Sequence, residues 1–175
     1  MGAAHCLRGG RRPTGGHRCL VPCPSRRSSR CSRSDLNPVA TDMALDPHRL
    51  SDVAQAFLHD YVLATLTTLR ADGSPHVVPV GFSYDMPTAT VMIIAVDGSQ
   101  KVVNADRNGR AVVSQVDGPR WLSFEGTVRV SRDQDEIRVA EERYARRYRQ
   151  PAERDDRVAI IIDVDRVLGR VPEAR

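Results

Sequence analysis

Apolar residues recur along this chain at two spacings, and the change from one to the other marks out the elements. In "HRLSDVAQAFLHD" they fall at Leu50, Val53, Ala54, Phe57 and Leu58. That is the three-and-four rhythm of an amphipathic helix, with Ser51 or Asp52 as its N-cap. "YVLATLTTL" and "PHVVPVGFSY" are β-branched runs on either side of "ADGS", and an Asp-Gly pair in that setting predicts a hairpin. In the return strand His76, Val78, Val80, Phe82 and Tyr84 share one face, while Val77, Pro79, Gly81 and Ser83 share the other. The second face is small and Pro79 has no ladder donor. Such a strand is an edge, a bulge, or a place where something flat approaches the backbone.

"TATVMIIAV" predicts a third strand and "SQKVVNADRN" a short helix, with Ser99 as N-cap and Gly109 as stop. "RAVVSQVDG" and "PRWLSFEGTVRV" predict two more strands around Gly118-Pro119. "DQDEIRVAEERYARRYRQ" predicts a longer helix ended by Pro151, acidic early and Arg-rich late as a helix dipole prefers. "DRVAIIIDVDRVLGR" reads as a final, central strand. The order α-β-β-β-α-β-β-α-β predicts a mainly β, α+β domain: a small closed barrel of six antiparallel strands with helices packed on it.

Charge redraws the domain boundary. The chain of 175 residues has a net charge of +4, but residues 1–42 hold eight arginines and two acids, while residues 43–175 hold 18 cations against 20 acids. The body is mildly acidic, so the basic balance gives no reason to expect a nucleic-acid-binding face. The head, rich in Arg, Ser, Gly and Pro, cannot bury enough apolar surface to offset its ordering entropy and is expected to be disordered. Met43 opens "MALDPHRLSDVAQAFL", which reads as a translation start; residues 1–42 are then upstream sequence, with a transit peptide as the other reading. The two domains expected are thus 1–42 and 43–175. "CLVPCP" is too short for a signal-peptide core and no run reaches transmembrane length, so a cytoplasmic protein with no membrane partner is expected.

All four cysteines, Cys6, Cys19, Cys23 and Cys31, lie in the head. Their spacing is not that of a zinc ribbon or finger. The body has three scattered histidines and no H-x-x-H, so no metal is expected there.

One residue stands apart. Lys101 is the sole lysine, against 25 arginines. It falls with Gly98, Ser99 and Gln100 where the third strand enters the short helix. Free N–H groups and the dipole make a helix start an anion site; Ser99 adds a hydroxyl and Lys101 a point charge. Asn104 lies one turn on and Arg107 two turns from Gln100. The same residues fit a solvated helix with one incidental lysine equally well.

"LATLTTLRADGSPHVVPVGF", "GSQKVVNADRNGRAVVSQVDG" and "RWLSFEG", in that order, resemble the split β-barrel superfamily of pyridoxamine-phosphate-oxidase-like flavin and deazaflavin proteins. Within it the chain is most similar to the actinobacterial branch that uses coenzyme F420, and there to the biliverdin reductases, over roughly Leu50 to Leu168. The resemblance implies an FMN/F420-type split barrel and an oxidoreductase that passes hydride from reduced F420 to an unsaturated acceptor: a tetrapyrrole such as biliverdin, a quinone or an enone. FMN is the alternative cofactor, and a non-catalytic F420- or tetrapyrrole-binding protein the alternative role. It implies that Ser99, Gln100, Lys101 and Asn104 hold the cofactor phosphate and that Arg107 reaches the phosphate or the acidic tail. Val78, Pro79 and Val80 match the strand along the deazaflavin ring, and Trp121 the segment lining the site across a dimer interface. It implies a homodimer. The C-terminal Trp- and Arg-containing motif of the true pyridoxamine-phosphate oxidases is missing, which argues against vitamin B6 oxidation.

Other residues keep two readings. His76 touches the ring or donates a proton, or is a polar residue near a hairpin turn. Gln115, on an apolar strand, faces the cofactor or sits at the barrel rim. Arg143, Arg146, Arg147 and Arg149 form a solvated helix end or meet an acidic tail or a propionate. His48 and His59 are expected to face solvent. No residue is singled out as the general acid.

Overall fold

A computed structural model describes residues 44–172; the expectations for the head, its cysteines and the start at Met43 lie outside the described residues. The elements follow one another as β1 (Ala44–Leu45), α1 (Asp52–His59), β2 (Ala64–Leu69), β3 (Pro75–Val80), β4 (Ser83–Asp85), β5 (Thr90–Val96), α2 (Gln100–Asn108), β6 (Arg110–Asp117), β7 (Arg120–Ser131), α3 (Gln134–Arg147) and β8 (Arg157–Arg170). Every helix and strand expected from the apolar pattern is present. The strand count is eight rather than six, because a two-residue β1 pairs with β8 and the run "PHVVPVGFSY" divides at Gly81.

That division gives the ladder its two ends. The ladder runs β3-β2-β6-β7-β8-β5-β4, antiparallel throughout. Its two ends, β3 and β4, are consecutive in the chain and joined through Gly81 and Phe82. β3 pairs with β2, and β4 pairs with β5. Among the described strands β3 has no second neighbour, so Pro79 does stand on an edge. The face alternation continues across the break, which hides the break in the sequence: Val80 and Phe82 are both buried.

Leu66, Phe82, Val91, Ile93, Leu122, Phe124, Ile160, Ile162 and Val167 fill the interior, each at most 1% exposed. α3 lies outside, where Ile137 and Ala140 cover Ala159 and Ile161 of β8. Both faces of β8 are therefore dry at this point, and the run "AIII" is continuous rather than alternating for that reason. The ladder between β7 and β8 slips one residue after Glu125. Gly126 makes the slip possible: a Cβ there would lie 2.1 Å from the Asp163 carbonyl oxygen.

Candidate functional site

The three helices begin differently. Ser51 caps α1 by accepting from Ala54 N, and Asp133 caps α3 by accepting from Asp135 N and Glu136 N. Both also carry acids in the first turn. α2 has neither. Its N-cap Ser99 makes no side-chain cap bond, and no acid lies in its first turn. The Ser99 carbonyl takes Val102 N and Val103 N at 2.9 and 3.0 Å, while its hydroxyl is buried without a partner. A side-chain cap bond is worth about 1 kcal/mol, and here it is not made. The positive end of α2 is left open.

Lys101 stands half-buried on that first turn and forms no ion pair among the described residues. Behind it a polar chain runs into the barrel. Gln100 Nε2 donates to Asn104 Oδ1 at 2.8 Å, and Asn104 Nδ2 donates to Thr68 Oγ1 at 3.1 Å. Asn104 is fully buried and Thr68 is 1% exposed. The β2–β3 register sets His76 opposite Thr68, and His76 Nδ1 is buried without a partner. Gln100, Asn104 and Thr68 thus link α2 to β2, whose other neighbour across from Thr68 is His76 of the open-edged β3. Asn104 spends both ends of its amide inside this chain; it fixes the helix rather than facing outward. The sequence reading missed Thr68. The signal was there, since Thr68 follows Ala64 and Leu66 on the buried face of β2, and a polar residue on such a face needs a partner.

Other sequence-predicted residues fall elsewhere. Val78, Pro79 and Val80 lie on β3, opposite Leu66, Thr65 and Ala64. Arg107 is exposed in the last turn of α2, on the stripe of Gln100 and Val103 and about 10 Å along the axis from Gln100. Trp121 pairs with Val116 at the far end of the β6–β7 hairpin, whereas α2 packs near Thr68 and Ala111, five residues nearer the start of β6. One chain does not bring Trp121 to Lys101.

Gln115 differs from both of its readings. It is fully buried, donates to the Phe57 carbonyl at 2.8 Å and accepts from Arg147 Nη2 at 2.8 Å. It faces neither a cofactor nor the rim; it ties α1 and α3 to the barrel wall. Arg147 is likewise not part of a solvated end. Its guanidinium donates to the carbonyls of Asp60, Val62 and Phe82 and to Gln115, and stacks over Phe82 at 4.5 Å. Burial lowers its pKa, though it stays cationic. Arg146 and Arg149 are exposed as expected, and Arg143 is held by Asp85 at 3.1 Å. His48 and His59 face solvent.

Among the described residues no group of three or more His, Cys, Asp or Glu could hold a metal ion. No helix among them is long and apolar enough to cross a membrane.

The fold is a split β-barrel in which α2 begins with an uncapped first turn and β3 keeps an open edge. The chain belongs to the pyridoxamine 5'-phosphate oxidase family, whose profile matches residues 50–170. It is 59% identical over 121 residues to the F420H(2)-dependent biliverdin reductase of Mycobacterium tuberculosis, a match covering 69% of this chain and 88% of that protein. Several solved structures share the fold. The conserved hypothetical protein Rv2991 from Mycobacterium tuberculosis gives a TM-score of 0.59 at 21% identity, covering 73% of this chain and 92% of that one. An F420 reductase gives 0.54 at 24% identity, covering 65% and 94%. The split-barrel expectation and the F420-branch resemblance are both borne out.

Proposed function

We propose that this protein is a coenzyme F420-dependent oxidoreductase that reduces biliverdin to bilirubin. The observation that carries the cofactor half is the unsealed start of α2. A buried, unbonded Ser99 hydroxyl, a first turn without acids and the unpaired Lys101 suit a phosphate. The 59% identity to a biliverdin reductase supports the substrate half.

Ser99, Lys101 and the first-turn N–H groups of α2 would hold the phosphate. The Gln100–Asn104–Thr68 chain keeps the helix start in place, and β3 offers Val78, Pro79 and Val80 as a backbone edge for a flat ring. Arg107, two turns along, suits the acidic tail rather than the phosphate. When bound, reduced F420 supplies the hydride. The residues of the chain bind, orient and shield; the β2–β3 register places His76 opposite Thr68.

The reading includes a homodimer acting in the cytoplasm. Leu63, just before β2, Val77 of β3 and Val116 of β6 are 55%, 55% and 60% exposed. An apolar surface of that kind commonly meets a partner, and a second copy would supply the Trp121 that one chain keeps remote. Light scattering across a concentration series tests the dimer; a monomer at every concentration refutes it.

The function is tested by titrating the protein with F420 and, in parallel, FMN, then adding biliverdin to the reduced complex and following the deazaflavin absorbance. F420 binding with reoxidation on biliverdin is expected. A preference for FMN, or binding without reoxidation, refutes the corresponding half.

A further inference from the structure

A cleft of about 290 Å³ opens between α1, β4 and α3, and none of the residues placed above around Lys101 lines it. One wall is cationic. Arg143, Arg146 and Arg147 lie at i, i+3 and i+4 of α3 and so on one face, and all three border the cleft. Opposite them stand Leu50, Leu58 and Met86, with Leu50 and Leu58 less than a tenth exposed. No acid lines the cleft.

The charge on that wall is only partly cancelled locally. Asp85, beside the cleft, answers Arg143 at 3.1 Å. Among the described residues, neither Arg146 nor Arg147 ion-pairs with a carboxylate. Arg147 is spent on carbonyls and Gln115, which use its donors but leave its charge. Arg146 is exposed, and only its Nε is engaged, with the Glu142 carbonyl at 3.4 Å. A body of net charge −2 therefore concentrates positive charge against an apolar wall. Cations at a helix C-terminus answer the dipole, which accounts for their presence in the last turns but not for the apolar wall facing them.

That wall is held rigid. Gln55 Nε2 donates to the Leu50 carbonyl at 2.9 Å, Leu50 N to Met86 Sδ at 3.3 Å, and the Tyr84 hydroxyl to the Pro47 carbonyl. A preformed concavity with an apolar body and a few convergent polar groups is the general form of a small-molecule site, and about 300 Å³ is the lower end of the usual size range. Guanidinium forks match carboxylates, and the exposed Arg146 keeps its terminal nitrogens free to turn inward.

We propose that this cleft binds the carboxylate of an amphipathic molecule, its charged end against Arg146 and Arg143 and its apolar body along Leu50, Leu58 and Met86. Two sources share that chemistry: a medium-chain carboxylic acid, and a carboxylate arm of the acceptor reduced by the enzyme. The second source rests on the proposed function; the site itself does not. Ser83 of the cleft and Pro79 of the β3 edge are four residues apart, so their Cα atoms lie within about 14 Å of each other.

The test is calorimetry on the full chain with three probes: octanoate, 1-octanol and acetate. Saturable octanoate binding is expected, with octanol and acetate each at least about ten-fold weaker. Arg146→Gln should weaken octanoate about three- to ten-fold at unchanged melting temperature, because Arg146 is exposed and pairs with no carboxylate among the described residues; Arg143→Gln should weaken it by a similar factor while lowering the melting temperature through loss of the Asp85 pair. Lys101→Ala should leave octanoate binding unaltered. Absent saturable binding, octanol equal to octanoate, undiminished binding in both arginine variants, or loss only in Lys101→Ala overturns the proposal. Turnover then assigns the source. A raised biliverdin KM at constant kcat under octanoate assigns the acceptor's own carboxylate, whereas octanoate binding that leaves KM unmoved assigns a separate ligand. Octanoate binding needs no cofactor, so failure of the redox reading leaves this measurement intact.

Discussion

Lys101 and Arg147 are both cations on helices, and the structure uses them in opposite ways. Lys101 sits at the start of α2 with no ion pair among the described residues, beside a hydroxyl that caps nothing. Arg147 sits at the end of α3 with its donors committed to three carbonyls and one amide oxygen. Burial has removed Arg147 from water and given it substitutes for water; Lys101 has been given none. A cation whose donors are all taken inside the fold serves the fold, whereas one left with spare donors beside an unsealed helix is available to a ligand. Residue type does not separate the two roles. The accounting of partners does.

The largest effect that would break this contrast is on stability. Arg147→Met leaves the carbonyls of Asp60, Val62 and Phe82 and the Gln115 oxygen without their donor, and should cost roughly 3 kcal/mol in urea unfolding. F420 affinity of the folded fraction should be unchanged. A loss below about 0.5 kcal/mol would show that water replaces the guanidinium easily.

Gly81→Ala probes the same end of α3. A Cβ there lies 2.5 Å from Tyr144 Cε2 and 3.1 Å from Tyr148 Cε2, so the aromatic seat beside Arg147 must shift, at a cost of about 1–3 kcal/mol. Tyr144→Leu in the same chain should restore part of it, as read by melting temperature; no restoration would place the strain elsewhere.

Lys101→Ala is the mirror case. F420 affinity should fall about ten-fold or more, equivalent to about 1.4 kcal/mol, while the unfolding midpoint stays put. An unfolding midpoint that moves with it would erase the distinction between Lys101 and Arg147.

The smallest effect concerns a cation–anion pair at the other end of α3. Hydrogen bonds from Arg129, then Ser131, hold the Glu136 carboxyl down to about 2. Because the folded value is depressed, its contribution is present above about pH 4.5 and is lost as pH falls toward 2. Both partners are more than a third exposed, so screening keeps the contribution under about 1 kcal/mol. The stability gap between the protein and Glu136→Gln should close over that window; a gap independent of pH would assign it to packing.

The elements were legible because each announces itself locally. Gly109 stops α2 at φ 61° and Asp72-Gly73 turns the first hairpin. The division of β3 from β4 was not legible. Pro79 and Gly81 marked an irregular strand, but a change of ladder partner is a tertiary event, and the face pattern runs through it undisturbed. α3 ends at Arg147, four residues before the proline expected to stop it, because Tyr148 leaves helical geometry at ψ −94° to place its hydroxyl on the Val62 carbonyl. The site divided in the same way. Ser99 and Lys101 could be picked out because a helix start is a local feature. Thr68, the burial of Arg147 and the true position of Gln115 depended on which distant segments the barrel brings together, and four arginines within seven residues do not say which one turns inward.

β8 binds β5 along Arg157–Asp163 and β7 along Ala159–Arg170, and also takes β1. The strand that joins the two halves of the barrel is the last of the described strands. While the ribosome is still extending the protein, β5 and β7 each expose a full row of backbone donors and acceptors with nothing to meet them, and the interior face of each stays wet. Closure must therefore wait until residues 157–170 emerge. Until then the nascent protein is an open sheet with sticky edges, and it is in this interval, more than after it, that a chaperone would have work to do.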